Sequence, residues 1–249
     1  MRATPMKRSL YTIFATLLIV GCATGEVDTA NSSGDTQSQA SSAANESQSE
    51  SLPESDVQQI ETSESSTASL PFDDLEIIPG EKFSFITANT SRQALAEQVG
   101  EDQLVDEDVH IGEGFMEPGT AVNLGDYSFK IVWSDDSRTT PLEIREVGSA
   151  WQLPGDIQLG MSFSELKETL GEFEIFGLGW DYGGTVMLDN TVLDAHSSDL
   201  ILRMHPAAGT AQTYSDDFFA VSGDELFEST NPHFTPLEMT LEDIVVYLN

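Results

Sequence analysis

Residues 79–100 read PGEKFSFITANTSRQALAEQVG, and residues 154–171 read PGDIQLGMSFSELKETLG. Both open Pro-Gly-acid, enter a short amphipathic run and close on glycine. Ser91, Leu95, Glu97, Val99 and Gly100 align with Ser162, Leu166, Glu168, Leu170 and Gly171. Self-similarity of this kind marks an internal duplication. Ser162 and Glu165 have capping-box spacing, in which each side chain satisfies a free amide of the first turn. Thr90 and Gln93 offer the same pair in the first copy. Gly100 and Gly171 fit the left-handed position that ends a helix. Helices this short are not stable alone. Leu95 with Val99, and Leu166 with Leu170, must therefore pack on something else.

That partner is predicted to be a sheet. After the first helix come LVDEDVHI (104–111), TAVNL (120–124), SFKIVW (128–133) and LEIREV (142–147). After the second come FEIFGLGW (173–180), TVMLD (185–189), DLILRM (199–204) and DIVVYL (243–248). Several alternate apolar and polar residues, as half-buried antiparallel strands do. Phe129, Ile131 and Trp133 share one face, as do Leu200, Leu202 and Met204. The expected fold is α+β: a tandem repeat of a short helix followed by about four antiparallel strands, with the helices packed on one face of the sheet. The first unit spans 71–150. The second spans 151–249 and carries a long loop at about 205–240, a length that marks function or disorder.

A second likeness joins GFMEPGT (114–120) to GWDYGGT (179–185). Each is Gly, an aromatic, three variable residues and Gly-Thr. Read as one turn copied with its unit, it places Gly119 and Gly183-Gly184 at positive φ in a tight hairpin. Thr120 and Thr185 then begin the next strand. Read as a binding loop, it presents Phe115, Trp180, Asp181 and Tyr182 as partner-binding residues, since Trp and Tyr are enriched at interface hot spots.

A short capped helix, a glycine and an antiparallel sheet, repeated in tandem, resemble the beta-lactamase-inhibitor-protein architecture. The single unit is similar to the small outer-membrane assembly lipoproteins of the SmpA/BamE type. The resemblance rests on the helix segments 89–100 and 160–171 and the order of elements. It implies an inhibitor-like or assembly-scaffold-like domain and transfers no functional residue.

The N-terminus gives an address. Arg2, Lys7 and Arg8 precede the apolar run LYTIFATLLIV (10–20). That run is signal-peptide length, too short to span a bilayer comfortably. It ends in Ile19-Val20-Gly21-Cys22, which resembles a bacterial lipobox with Ile in place of the usual Leu. The resemblance implies a signal peptide at 1–21 and a lipid-acylated N-terminus at Cys22. Cys22 is the one cysteine in the chain, so no intramolecular disulfide forms. The acyl chains would hold the protein on the membrane at about 0.8 kcal/mol per buried CH2. Ala23, rather than Asp, after the cysteine points to the outer membrane where the host has one. Residues 22–70 are an acidic, Ser/Thr-rich tether whose composition cannot offset the entropy of ordering it.

The formal charge is −33, and loss of Arg2, Lys7 and Arg8 with the leader would take it to −36. Nucleic acid and anionic lipid surfaces repel such a chain. It suits a basic partner, divalent cations or a salty environment. GLGWDYGG (177–184) lacks GxGxxG spacing and a following helix, so it is no phosphate loop. His110, His196, His205 and His233 form no zinc motif. Asp194, His196 and Asp199 in DAHSSD read as a polar turn. Calcium suits the carboxylates but has no EF-hand loop, and no cofactor or metal ligand set is expected. No GxSxG elbow is present. The leading expectation is a non-catalytic domain that binds an envelope protein. The alternatives are a sugar- or peptidoglycan-fragment-binding module and a hydrolase using carboxylates.

Overall fold

The computed structural model describes residues 70–249. The leader, Cys22 and the tether lie outside them. The described chain is mixed α+β with antiparallel sheets. It begins with a three-stranded clip, β1 (Ile77–Ile78), β2 (Lys82–Phe83) and β3 (Ile86–Thr87). Helix α1 (Arg92–Val99) follows, then the strands β4 (Leu104–Gly112), β5 (Phe115–Val122), β6 (Phe129–Trp133) and β7 (Pro141–Arg145). Beyond these come α2 (Phe163–Leu170), β8 (Glu174–Phe176), β9 (Leu200–His205), α3 (Thr210–Thr213), α4 (Ser215–Ala220), β10 (Leu226–Glu228) and β11 (Thr240–Tyr247).

The central sheet has six strands in the order β4-β5-β6-β7-β11-β9. The C-terminal strand thus lies between β7 and β9 and joins the two halves of the sequence in one sheet. Beyond β9 the ladder continues through an isolated bridge, Thr185 to Arg203, and another from Val186 to Ile175 of β8. β8 in turn pairs with β10.

Helices α1 and α2 form where the sequence predicts them. Ser91 caps α1 by accepting from the Ala94 amide. Thr90, the predicted cap, instead accepts from the Thr87 amide and closes the preceding turn. Ser162 and Glu165 form the full capping box of α2. Gly100 and Gly171 both have positive φ, 93° and 86°, but their ψ values of 141° and −162° are extended rather than left-handed helical. Glycine alone tolerates that region without strain.

Leu95, Val99, Leu166 and Leu170 are buried in one cluster with Phe129, Ile131, Ile144, Leu202, Ile244 and Val246. Period-two alternation puts Val109, Val132 and Val245 on the opposite face, where they are buried but outside that cluster. Helices α1 and α2 therefore pack on one face of the sheet, and among the described residues the β4–β5 arm lies on the other. The segment 205–240 is no open loop. It holds α3, α4, β10 and a 3-10 turn at Pro232–Leu237, and it buries Phe234 and Leu237 against the core.

A candidate contact surface where two turns meet

The two seven-residue motifs are not one turn used twice. In the first, the hairpin turn lies at Gly112, Glu113 and Gly114, with φ of 117°, 50° and 80°. Phe115 to Thr120 then runs inside β5. Gly119 is a strand residue paired with Glu107 and Val132, not a turn residue. Its role is close approach: a Cβ there would lie 2.3 Å from Val109 Cγ2. In the second motif Gly179 and Trp180 form a bend and Asp181 to Gly184 a turn, with positive φ at Gly179 and Gly184 but not at Gly183. The threonines differ as well. Thr120 is fully buried, accepts from Trp133 Nε1 at 2.9 Å and donates to Asp106. Thr185 lies across from Arg203 and accepts from its Nε at 3.1 Å.

Yet the structure brings the two turns together. β5 pairs with β6 only over Gly119 to Val122, so Phe115 to Pro118 overhangs with β4 as a two-stranded arm. Pro118, with no N–H to donate, falls where β5 has no partner on its β6 side. The arm folds back over the open face of the sheet. Arg145 of β7 donates from Nη1 to the His110 carbonyl near the arm's tip. The Glu113 amide donates to Asp181 Oδ2 at 2.8 Å. The Tyr182 phenol faces the Glu113 carboxylate, and its pKa is raised by desolvation and by that negative charge.

Under this junction lies a cleft of about 410 Å³ whose lining includes His110, Arg145, Asp181, Tyr182, Arg203 and His205. Its cations are already engaged. Arg203 Nη1 sits 2.6 Å from Asp243 Oδ2. Arg145 Nε lies 2.9 Å from Glu143 Oε1, in contact but off the hydrogen-bond axis. Burial pushes the Glu143 carboxyl up, against the opposing pull of Arg145 and Tyr247. Tyr247 is likewise raised by burial and by Glu143. The arrangement places paired charges of both signs on the open face. Arg145 and Arg203 belong to no local motif of the sequence, and His110 and His205 enter it only as histidines that form no zinc motif. The signal was available, because Arg145 and Arg203 fall on the opposite strand parity from the buried residues beside them.

On the outer side of the second turn lies an aromatic ridge. Trp180 and Tyr182 pack edge to face, with ring centroids 5.2 Å apart and planes at 74°. Each is 38% exposed. Trp180 is held by donation from Nε1 to the Gly177 carbonyl at 2.8 Å and by the ring of Phe176. Trp180 also lines an apolar recess of about 340 Å³ with Leu178, Phe218 and Phe219. Phe219 is 73% exposed, and on the pinned arm Phe115 is 62% exposed. All four predicted contact residues are thus accessible, and Asp181 is the pin between the turns.

DAHSSD forms a 3-10 turn at Asp194–His196. Asp199 there accepts from Ser198 and Asn249 and ties down the C-terminus. Among the described residues, no group of three or more His, Cys, Asp or Glu is placed to hold a metal ion. None of their helices is long and apolar enough to cross a membrane.

No protein-family model matches the chain, and no curated protein matches it. Among solved structures, the chain is similar to the uncharacterized protein yfeY from Escherichia coli. The identity is 16%, the TM-score is 0.36, and the match covers 68% of this chain and 94% of that one.

Proposed function

We propose that this protein is a lipid-anchored bacterial envelope protein whose α+β domain binds another protein without catalysis of its own. The address follows from the signal-like run and the lipobox-like Ile19-Val20-Gly21-Cys22. Acylation at Cys22 would place it on the outer membrane where the host has one. An extended acidic tether would then confine the domain near its partner and raise the effective concentration.

One observation carries the binding reading. Trp180 and Phe219 are exposed at an apolar recess, exposed Tyr182 packs edge to face on Trp180, and Glu113–Asp181 pins beside them the arm that carries Phe115. Rigid, amphipathic aromatics on a fixed scaffold are what protein interfaces use as anchors. Asp224 lines the recess, and the chain is strongly acidic, so the partner surface would be basic. A sugar platform fits less well, because Trp180 and Tyr182 stand at 74° and offer no single flat face.

We further infer that the domain arose as a tandem duplication of a helix and about four strands, as in the beta-lactamase-inhibitor and SmpA/BamE-type architectures. Three features support this. Ser91 and Ser162 cap helices of equal length, each followed by a positive-φ glycine. α1 leads into β4 of the central sheet, and α2 leads through β8 of the small β8–β10 sheet to β9 of the central one. The last strands of the two units, β7 and β11, are neighbours.

A photo-crosslinking residue at Phe115 or Phe219, introduced in the native host, tests the surface. Both positions are expected to trap the same envelope protein, while Val192, equally exposed but outside the ridge, traps none. Adducts at Val192 as strong as at Phe219 would remove the ridge as the contact surface.

A further inference from the structure

Another cavity lies away from the aromatic ridge, in the groove between the start of α2 and the 229–240 segment. Its volume is about 760 Å³, and its lining includes Phe163, Phe234, Met239, Ala207 and Lys167. That size falls within the range of about 300–1,000 Å³ typical of small-molecule sites. Phe163 and Phe234 form one wall, stacked with centroids 5.2 Å apart and planes at 27°. Ser164, Thr230 and Thr235 edge the groove. Its floor is fixed by main-chain bonds. The Phe163 amide donates to the Met239 carbonyl at 2.9 Å, and the Leu241 amide to Met161 at 2.8 Å. These bonds tie the start of α2 to the strand β11 that follows the groove.

Lys167 makes the groove more than an apolar dent. The chain has 43 acidic residues and 10 Lys and Arg. In the described part, Lys82, Arg92, Lys130, Arg138, Arg145 and Arg203 each lie within 4.0 Å of a carboxylate. Among the described residues, Lys167 is the one Lys or Arg without such a partner. Glu238 lines the same groove, yet it too lies farther than 4.0 Å from the Lys167 ammonium. An unpaired ammonium at an aromatic wall, in a protein with acid to spare, is a free counter-charge. A lysine presents it as a point charge on a flexible apolar stem.

We propose that this groove binds a small apolar molecule bearing one carboxylate. The carboxylate pairs with Lys167 and accepts from the rim hydroxyls, and the apolar body lies against Phe163, Phe234 and Met239. The same chemistry is shared by an alkyl acid and by the carboxyl terminus of an apolar peptide. The site is independent of the aromatic ridge and stands or falls without it.

The test uses the full-length chain carrying Cys22→Ser, which leaves it unacylated. The probe is 4-(4-fluorophenyl)butyrate followed by 19F NMR, with the neutral amide of the same acid beside it. The acid is expected to bind, with the amide weaker by about tenfold, the scale of a lost charge-assisted hydrogen bond. Lys167→Met should bring the two to equal, weak affinity. Ser164→Trp, which fills the groove from an exposed helix position, should abolish binding of both. Displacement by decanoate assigns the site to alkyl acids, and displacement by N-acetyl-Leu-Phe assigns it to peptide termini. No binding of the acid, equal binding of acid and amide to the native chain, or unchanged acid affinity in Lys167→Met would overturn the proposal.

Discussion

Single residues explain why the two motifs look alike and behave differently. Gly114 and Gly184 both have positive φ, 80° and 78°. A Cβ at Gly114 meets nothing within 4 Å, whereas one at Gly184 would lie 2.0 Å from the Met204 carbonyl oxygen. Gly114→Ala is thus expected to cost only the left-handed strain, about 1 kcal/mol. Gly184→Ala adds a clash with backbone in the sheet, and its loss should exceed that of Gly114→Ala by a further 1–3 kcal/mol, roughly the cost of overpacking. Urea unfolding of both variants reads the difference, and equal losses would contradict it. Sequence spacing exposed the glycines but not their roles. Gly119 serves Val109 on the neighbouring strand rather than a turn, and a contact across strands has no local signature. Phe115, Trp180 and Tyr182 were legible as contact candidates because large aromatics sat among glycines. Their meeting through Glu113 and Asp181, far apart in the chain, was not.

At the scale of elements, patterns of period two and 3.6 located α1, α2 and the strands of the main sheet, since burial on one face writes itself into the sequence. The clip β1–β3 escaped because its strands are two residues long and show no alternation. The 205–240 segment reads as a loop because α3 and α4 are four and six residues, too short for a helical stripe. Charge also ties elements together. Arg92 at the start of α1 holds Glu101 through both terminal nitrogens and Asp106 of β4 through Nε. Burial pushes Asp106 up, but bonds from Thr120 and Arg92 more than offset it and leave its pKa lowered. Hydrogen bonding to Arg92 lowers Glu101 as well. Carboxylates lowered in the folded state contribute stability above their ordinary pKa and lose it as pH falls through the depressed values. Arg92→Met should therefore reduce stability at neutral pH and flatten its decline below about pH 4, the ordinary carboxylate range. Chemical denaturation of native and variant across that range checks the sign; parallel acid limbs would refute it.

The whole molecule depends on where the last strand goes. β11 runs between β7 and β9, pairing Val246 with Ile144 on one side and Ile244 with Leu202 on the other. Residues 71–150 alone would expose β7 as an apolar edge and leave Leu95 and Val99 half-covered, so that fragment should not fold. The chain should unfold in one transition, and a folded 71–150 fragment by circular dichroism and NMR would contradict the shared core. This placement could not be read from sequence, because helix-strand order is the same whether two units make one sheet or two. The same sheet has α1 and α2 on one face, and the β4–β5 arm crosses the other to build the surface on which the functional reading rests. The most direct test is capture from envelope extracts of the native host by the full-length chain, beside a Trp180→Ala/Tyr182→Ala variant shown to be folded. A specific protein retained by the native chain and lost by the variant is the predicted result. Equal retention by both, or no specific retention by the native chain, would contradict the assignment of this surface as a protein-binding site.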